Sequence, residues 1–252
     1  MIKIEGVSLT LQGTAILRDV SVTLPKGGLT ALVGPNGAGK SSLLSLIARL
    51  QPFQSGRIAV DGLPVDRTPS QHLAKVLTIM RQDTGLASRL SVRDLVGFGR
   101  FPHSRGRLTD EDRRRVAAAL TQFDLTALAD RDLDTLSGGQ RQRAFVAMAF
   151  CQDTDYLLLD EPLNNLDMMH ARQMMRHLRG IVDRQGRTVV IVLHDINHAA
   201  AYADRIVGMK DGRIVAEGLP EEVLTVDRLE MMFGFRMQVH RLGGRIVVQH
   251  HA

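Results

Sequence analysis

The sequence has little of what marks an exported or membrane-spanning protein. One cysteine, Cys151, occurs among 252 residues, so no internal disulfide can form and a reducing compartment is expected. Set in Ala149-Phe150-Cys151, the thiol reads as a small core residue rather than a nucleophile. No run of about 18 uninterrupted apolar residues is present to cross a bilayer as a helix. The opening Met1-Ile2-Lys3-Ile4-Glu5-Gly6 carries an acidic residue and no long apolar stretch, so a secretory leader is not expected and the chain is expected to stay in the cytoplasm. Internal repeats, low-complexity tracts and heptad runs are also missing, which leaves no signature of a solenoid or a coiled-coil arm. What remains is ordinary for a globular protein: 44% hydrophobic and 23% charged residues, enough for one sizeable core with a small inserted subdomain.

The formal charge of +5 raises the question of nucleic acid, since basic surfaces attract phosphate backbones. The charge is thinly spread. Its densest segment, Arg100 to Arg115, holds Arg105, Arg107, Arg113, Arg114 and Arg115, but also Asp110, Glu111 and Asp112, with Phe101 as its single aromatic. This reads as a solvated or partner-facing region; no nucleic-acid partner is expected, and anionic lipid headgroups beside a membrane partner fit a mildly basic surface better.

The chemistry begins at Gly34-Pro35-Asn36-Gly37-Ala38-Gly39-Lys40-Ser41, a complete G-x-x-x-x-G-K-[ST] phosphate loop. Glycines allow backbone N–H groups to turn inward around phosphates, a lysine reaches the β/γ oxygens and a serine hydroxyl ligates Mg²⁺. These residues, with Ser42, are the candidate nucleotide-binding set. Leu29 to Val33 is an apolar run before the loop, and Ser42 to Leu50 continues as a helix with Leu43, Leu44, Leu46 and Ile47 on its apolar face. Val7 to Leu11 and Val20 to Leu24 alternate apolar and polar like half-buried antiparallel strands, and Gly56 to Gly62 reads as another strand ending in a turn.

Tyr156 to Leu159 and Thr188 to Leu193 are continuously apolar, as strands of a parallel sheet buried on both faces are. The first stops at Asp160-Glu161 and the second at His194-Asp195. With the phosphate loop, three polar groups thus fall at carboxyl ends of parallel strands, where ligand crevices of open α/β sheets form. From Asp83 to Thr135 the pattern turns helical, with Val92, Leu95 and Val96 on one face and Val116, Leu120, Phe123 and Leu125 on another. Beyond about Val226 a short helix and a hairpin, Val239 to Val248 turning at Gly243-Gly244, are expected.

About a hundred residues after the phosphate loop the chain reads Leu136-Ser137-Gly138-Gly139-Gln140. With the loop, this pentapeptide and Asp160-Glu161 in that order, the sequence resembles the ATP-binding subunit of ABC transporters along nearly its whole length. The resemblance implies an α/β fold: a P-loop NTPase core of ABC type with an antiparallel β subdomain and an inserted helical subdomain. It implies one ABC ATPase domain over 1–252, with core and β subdomain at 1–82 and 136–225, the helical subdomain at 83–135, and a C-terminal helix and hairpin at 226–252. Ser137, Gly138, Gly139 and Gln140 are then expected to act in trans on nucleotide held by a second copy, so that ATP and Mg²⁺ are the cofactors and a homodimer the working form.

The resemblance also assigns roles residue by residue. Asp160 matches the carboxylate that holds Mg²⁺ together with Ser41, and Glu161 matches the general base. Gln82 resembles the glutamine that contacts the metal or the water and joins the core to the helical subdomain. His194 resembles the switch histidine at the γ-phosphate, and Asp167, ending Asn164-Asn165-Leu166-Asp167, belongs to the loop that crosses the dimer interface. One position departs: Leu11 stands where a tyrosine that stacks on adenine is common, and aliphatic contact in its place forgoes about 0.5 to 1.5 kcal/mol. His250, His251 and the pairs Met168-Met169, Met174-Met175 and Met231-Met232 read as tail and packing residues rather than metal ligands.

Gly99-Arg100-Phe101-Pro102, Gly106-Arg107-Leu108-Thr109 and the segment Asp160 to Asp167 resemble the ATPases of iron(III)-siderophore importers, a group that includes haem and vitamin B12 importers. The expected partners are a polytopic membrane permease, docked through the helical subdomain, and indirectly an external substrate-binding protein. The expected location is peripheral, on the cytoplasmic face of the cell membrane. The alternatives are another cargo, such as haem, cobalamin or zinc, or a non-transport ABC ATPase acting on nucleic acid or ribosomes.

Overall fold

The computed structural model describes residues 1–81 and 89–250. Chain contacts divide it into two compact units, residues 1–68 with 188–252, and residues 69–187. In chain order the strands and helices up to the end of the first helical region are β1 (Ile2–Leu11), β2 (Thr14–Leu24), β3 (Gly28–Val33), α1 (Lys40–Ile47), β4 (Ser55–Val60), β5 (Leu63–Pro64), α2 (Ser70–Val76), β6 (Leu77–Met80), α3 (Val92–Phe98), α4 (Phe101–Ser104) and α5 (Asp110–Gln122). There follow α6 (Gly138–Cys151), β7 (Tyr156–Leu159), α7 (Met168–Gln185), β8 (Thr188–Val192), α8 (Ile196–Tyr202), β9 (Arg205–Lys210), β10 (Arg213–Gly218), α9 (Pro220–Val223), α10 (Val226–Phe233), β11 (Gln238–Leu242) and β12 (Arg245–Gln249).

In the first unit the alternating segments form the expected antiparallel layer, ordered β2-β1-β4-β5. Ile2, Ile4, Val7 and Leu9 of β1 are buried while Lys3, Glu5 and Thr10 face out, the period-two pattern of a sheet with one wet face. A second layer runs β10-β9-β3-β8. There β3 pairs in parallel with β8, from Gly28 opposite Thr188 to Leu32 opposite Val192, and with β9 on its other side. All five residues of β8 are buried, so neither face can carry a polar side chain without a partner. The C-terminal hairpin β11–β12 pairs Val239 with Val248. Gly243 and Gly244 both have positive φ, as a two-residue type I′ turn requires. Asn197 of α8 fastens it, accepting from the Val248 N–H at 2.8 Å and donating to its carbonyl at 3.0 Å.

The second unit holds β6 and β7, parallel from Leu77 opposite Tyr156 to Met80 opposite Leu159, and the helices α2 to α7. Both faces of the helical region anticipated from sequence are buried: Val92, Leu95, Val96, Val116, Leu120, Phe123 and Leu125 all lie in its core. This unit, residues 69–187, is wider than the expected 83–135 subdomain: α6 packs on α3, α5 and β7, and α7 falls in the same unit. Three of its helices start with reciprocal caps, Ser91 with Asp94, Thr109 with Asp112 and Ser137 with Gln140, each satisfying two N–H groups that the first turn leaves open.

Arg100 is not the solvated residue its segment suggested. It is 5% exposed, and its Nε donates to the equally buried Asp112 carboxylate at 2.9 Å while Nη1 donates to the Cys151 carbonyl at 2.9 Å. Arg113, Arg114 and Arg115 are exposed and pair with Asp110 and Glu111, as a solvated face does. Arg100 reaches α6 because Gly99 lets the chain come close: a Cβ there would lie 2.2 Å from the Met148 carbonyl oxygen. Burial raises the thiol of Cys151 to about 12. Met174, Met175 and Met232 pack in the core as expected, but Met168 and Met169 are 90% and 67% exposed and Met231 is also exposed. For Met168 and Met169 the packing reading is corrected: they open α7 beside the exposed cap Asp167, before its apolar stripe has turned inward.

Burial tends to raise the Asp112 carboxyl, yet the Thr109 N–H and hydroxyl and the Arg100 guanidinium override it and lower it from 3.8 to about 2. A carboxylate depressed on folding stabilises above its unfolded value and loses that contribution as pH falls through its folded one. Roughly 2 kcal/mol should therefore disappear between pH ~4 and ~2. Asp112→Ala, which strands Arg100, should cost about 3 kcal/mol at neutral pH by urea denaturation and flatten that acid limb.

Candidate nucleotide site

The phosphate loop in the first unit is shaped by close backbone approach. Gly34, at φ 141°, passes the end of β9 so closely that a Cβ would sit 2.0 Å from the Met209 carbonyl oxygen. At Gly39, φ 96°, a Cβ would lie 2.6 Å from Leu17 Cδ2. Only glycine meets both the positive φ and the contact. Buried Ala38 donates to the Pro35 carbonyl at 3.2 Å and accepts from Gly212 at 3.3 Å. Lys40, 4% exposed, donates from Nζ to the carbonyls of Gly34 and Pro35 at 2.8 and 2.9 Å, which folds the loop around its own ammonium group. Asn36 and Gly37 are exposed, Ser41 and Ser42 half-buried. Helix α1 begins at Lys40 with no acidic residue in its first turn, so its N-terminal dipole and N–H groups favour an anion.

On the neighbouring strand, the Leu193 N–H donates to the Leu32 carbonyl at 3.1 Å, carrying the alignment one residue past β8 before the chain emerges at His194. That histidine is exposed, and follows the same end of the β3–β8 pair as the phosphate loop does. Leu11 ends β1, paired with Thr14, and is 42% exposed.

The second unit carries the acidic pair. Asp160 follows β7, is 6% exposed, and donates its N–H to the Met80 carbonyl at 2.9 Å. Glu161 turns sharply, with φ 52°, a left-handed backbone that costs a non-glycine residue roughly 1 to 2 kcal/mol and concentrates at functional sites. Its carboxylate accepts from Asn164 Nδ2 at 2.5 Å, and its carbonyl accepts from the Asn164 N–H at 3.2 Å and from Gln142 Nε2 at 3.3 Å. Gln142 was not singled out by sequence, and Asn164 only as part of the loop ending at Asp167; the convergence of the two amides on Glu161 is readable only once α6 and the turn are placed.

Ser137 is exposed and caps α6. Its hydroxyl accepts from the Gln140 N–H at 3.3 Å, and its own N–H donates to the Gln140 side-chain oxygen at 3.1 Å. The glycines admit the loop before α7: Cβ atoms at Gly138 and Gly139 would lie 3.5 Å from Asn165 and 3.0 Å from Leu166. Asp167 caps α7, and the His170 N–H and imidazole bonds to its carboxylate hold it below the usual range. Pentapeptide and loop therefore form one surface, which the sequence presents as separate motifs. Gln82 lies outside the described residues.

The family model of the ABC transporter matches residues 17–164. The chain belongs to the ABC transporter family. Among curated relatives of this ABC protein, the petrobactin import ATP-binding protein YclP of Bacillus subtilis (strain 168) is 47% identical, covering 96% of each chain. The petrobactin import ATP-binding protein FatE of Bacillus anthracis is 50% identical over 95% of this chain and 96% of its own. The iron(3+)-hydroxamate import ATP-binding protein FhuC of B. subtilis is 40% identical over 91% and 86%. Among solved structures, the dimeric, post-hydrolysis ATP-binding cassette MJ0796 with ADP and Pi matches with a TM-score of 0.78 at 27% identity, covering 87% of this chain and 99% of that one. The expected ABC-type fold is thus borne out.

Because Gly34 must pass the Met209 carbonyl, Gly34→Ala should displace the loop of this ABC protein. Fluorescent-nucleotide titration should show at least a tenfold loss of affinity, about 1.4 kcal/mol, whereas Gly37→Ala, with open space around it, should lose less.

Proposed function

We propose that the chain is the ATP-hydrolysing subunit that powers import of an iron(III)-siderophore complex through a separate membrane permease. It works from the cytoplasmic face of the membrane as a pair of identical copies, with an external substrate-binding protein delivering the cargo. The observation that carries the ATPase reading is the phosphate loop, closed around Lys40 and opening into an acid-free helix start. The cargo class is supported by relatives named for petrobactin and iron(3+)-hydroxamate import, and the pairing by the dimeric cassette. No helix among the described residues is long and apolar enough to cross a membrane; in this reading the passage itself is the permease's.

Within this reading Lys40 and the loop N–H groups hold the phosphates, and Glu161 orients and deprotonates the attacking water. His194 contacts the γ-phosphate, and Ser137 to Gln140 face the nucleotide of the other copy, with Asp167 at the shared boundary. Ser41 and Asp160 offer hard oxygen donors, the class Mg²⁺ takes, and Gln82 completes that set by resemblance. When bound, the cation neutralises phosphate charge.

The helical region supplies a surface for the permease. A groove of about 610 Å³ between α3, α4 and α5 is lined by Leu90, Phe98, Phe101, Leu108 and Val116, with Arg93 and Arg113 at its edge. Phe98 and Phe101 are 53% and 63% exposed, the large apolar anchors that interfaces use.

Glu161→Gln should slow ATP turnover by about 10² to 10⁴-fold while retaining ATP, and should accumulate an ATP-bound dimer on size-exclusion chromatography; wild-type turnover would remove Glu161 as the base. Phe101→Asp should cut recovery of the permease in detergent co-purification by about tenfold or more with ATP binding intact, and unchanged recovery would move the docking surface elsewhere.

A further inference from the structure

A general base works only if its carboxylate is held where the water will be, and a glutamate has three side-chain torsions to fix. Glu161 also sits on a left-handed backbone, which its neighbours must maintain. We infer that Asn164 is the positioning residue for the Glu161 carboxylate, with Gln142 bracing the Glu161 backbone; this rests on the reading of Glu161 as the base.

Three bonds carry the assignment. Asn164 donates to Glu161 twice, from its side chain to Oε2 at 2.5 Å and from its backbone N–H to the carbonyl at 3.2 Å. The turn therefore fixes the backbone and the side-chain end of one residue together. Gln142, 6% exposed on α6, donates to the same carbonyl from Nε2 at 3.3 Å. Each amide faces an acceptor only, a carboxylate or a carbonyl, so its nitrogen must point there. The side-chain chemistry at 164 is restrictive. An aspartate would set a second carboxylate against Glu161, an alanine would remove the Asn164 donor from Oε2, and a serine would keep a donor on a shorter arm.

Gln142 adds a direction of influence. It lies five positions beyond Ser137 on the helix that Ser137 opens, so movement of that helix reaches the Glu161 carbonyl through one hydrogen bond. Contact made at the pentapeptide thereby bears on the base.

The test is steady-state ATP hydrolysis by the full chain, reading kcat and KM separately, with Asn164→Ala, Asn164→Ser and Asn164→Asp, each also combined with Glu161→Gln. Asn164→Ala should lower kcat about ten- to a hundredfold with KM for ATP within about twofold. Asn164→Asp should fall at least as far, and Asn164→Ser should recover part of the loss. In the Glu161→Gln background, Asn164→Ala should change turnover by less than about twofold, because a residue acting through another has nothing further to remove. Wild-type kcat in Asn164→Ala alongside a slow Glu161→Gln would overturn the positioning role and leave the base standing. Equal losses from Asn164→Ala in both backgrounds would also overturn it, since a merely structural residue behaves that way. Wild-type turnover in Glu161→Gln would remove the base reading itself, and this inference with it.

Discussion

Much of the structure follows from one constraint: a strand buried on both faces cannot carry an unpartnered polar side chain. In β8 every residue is buried, and β7 is the same. Chemistry is thereby expelled to the strand ends, where the sheet stops and the chain turns. The phosphate loop, His194 and the Asp160-Glu161 pair each follow directly on such a strand. Within each unit the apolar strands thus set where the polar groups emerge, and the loops need supply only direction.

Direction is where the backbone becomes unusual. Gly34 and Gly39 have positive φ with neighbouring atoms already occupying the space of a Cβ. Glu161 and Asn165 take left-handed backbone without being glycine. The first pair exists so that a loop can wrap closely; the second keeps side chains that a glycine would lack. For Glu161, a residue type uncommon in that region, the hydrogen bonds from Asn164 and Gln142 help hold the conformation.

The sequence made the layers legible because periodicity is written by burial. β1 and β2 alternate, β7 and β8 run apolar, and the buried positions of α3 and α5 recur at helical spacing. The phosphate loop was legible because its residue types are dictated by phosphate geometry, and the pentapeptide because it resembles a family motif. What escaped was long-range pairing of charges and amides. Arg100 looked solvated in a basic run, yet Gly99 lets it turn under α6 to meet Asp112. Gln142, 19 residues before Glu161, meets it only in three dimensions, and there joins Asn164, three residues after it. Met168 and Met169 resembled the buried methionine pairs, but their place at the start of α7 leaves them in solvent.

Cys151 ends α6 at 3% exposure, with its thiol raised to about 12 by burial. At neutral pH it is therefore a protonated, enclosed thiol, and thiolate is the form that reacts with alkylating reagents. With a single cysteine in the chain, the native sequence is close to a labelling blank. A cysteine introduced at an exposed position such as Met168 would take up a maleimide dye or spin probe selectively while Cys151 stays in place, and distance measurements between two copies could then be made on an otherwise unaltered protein.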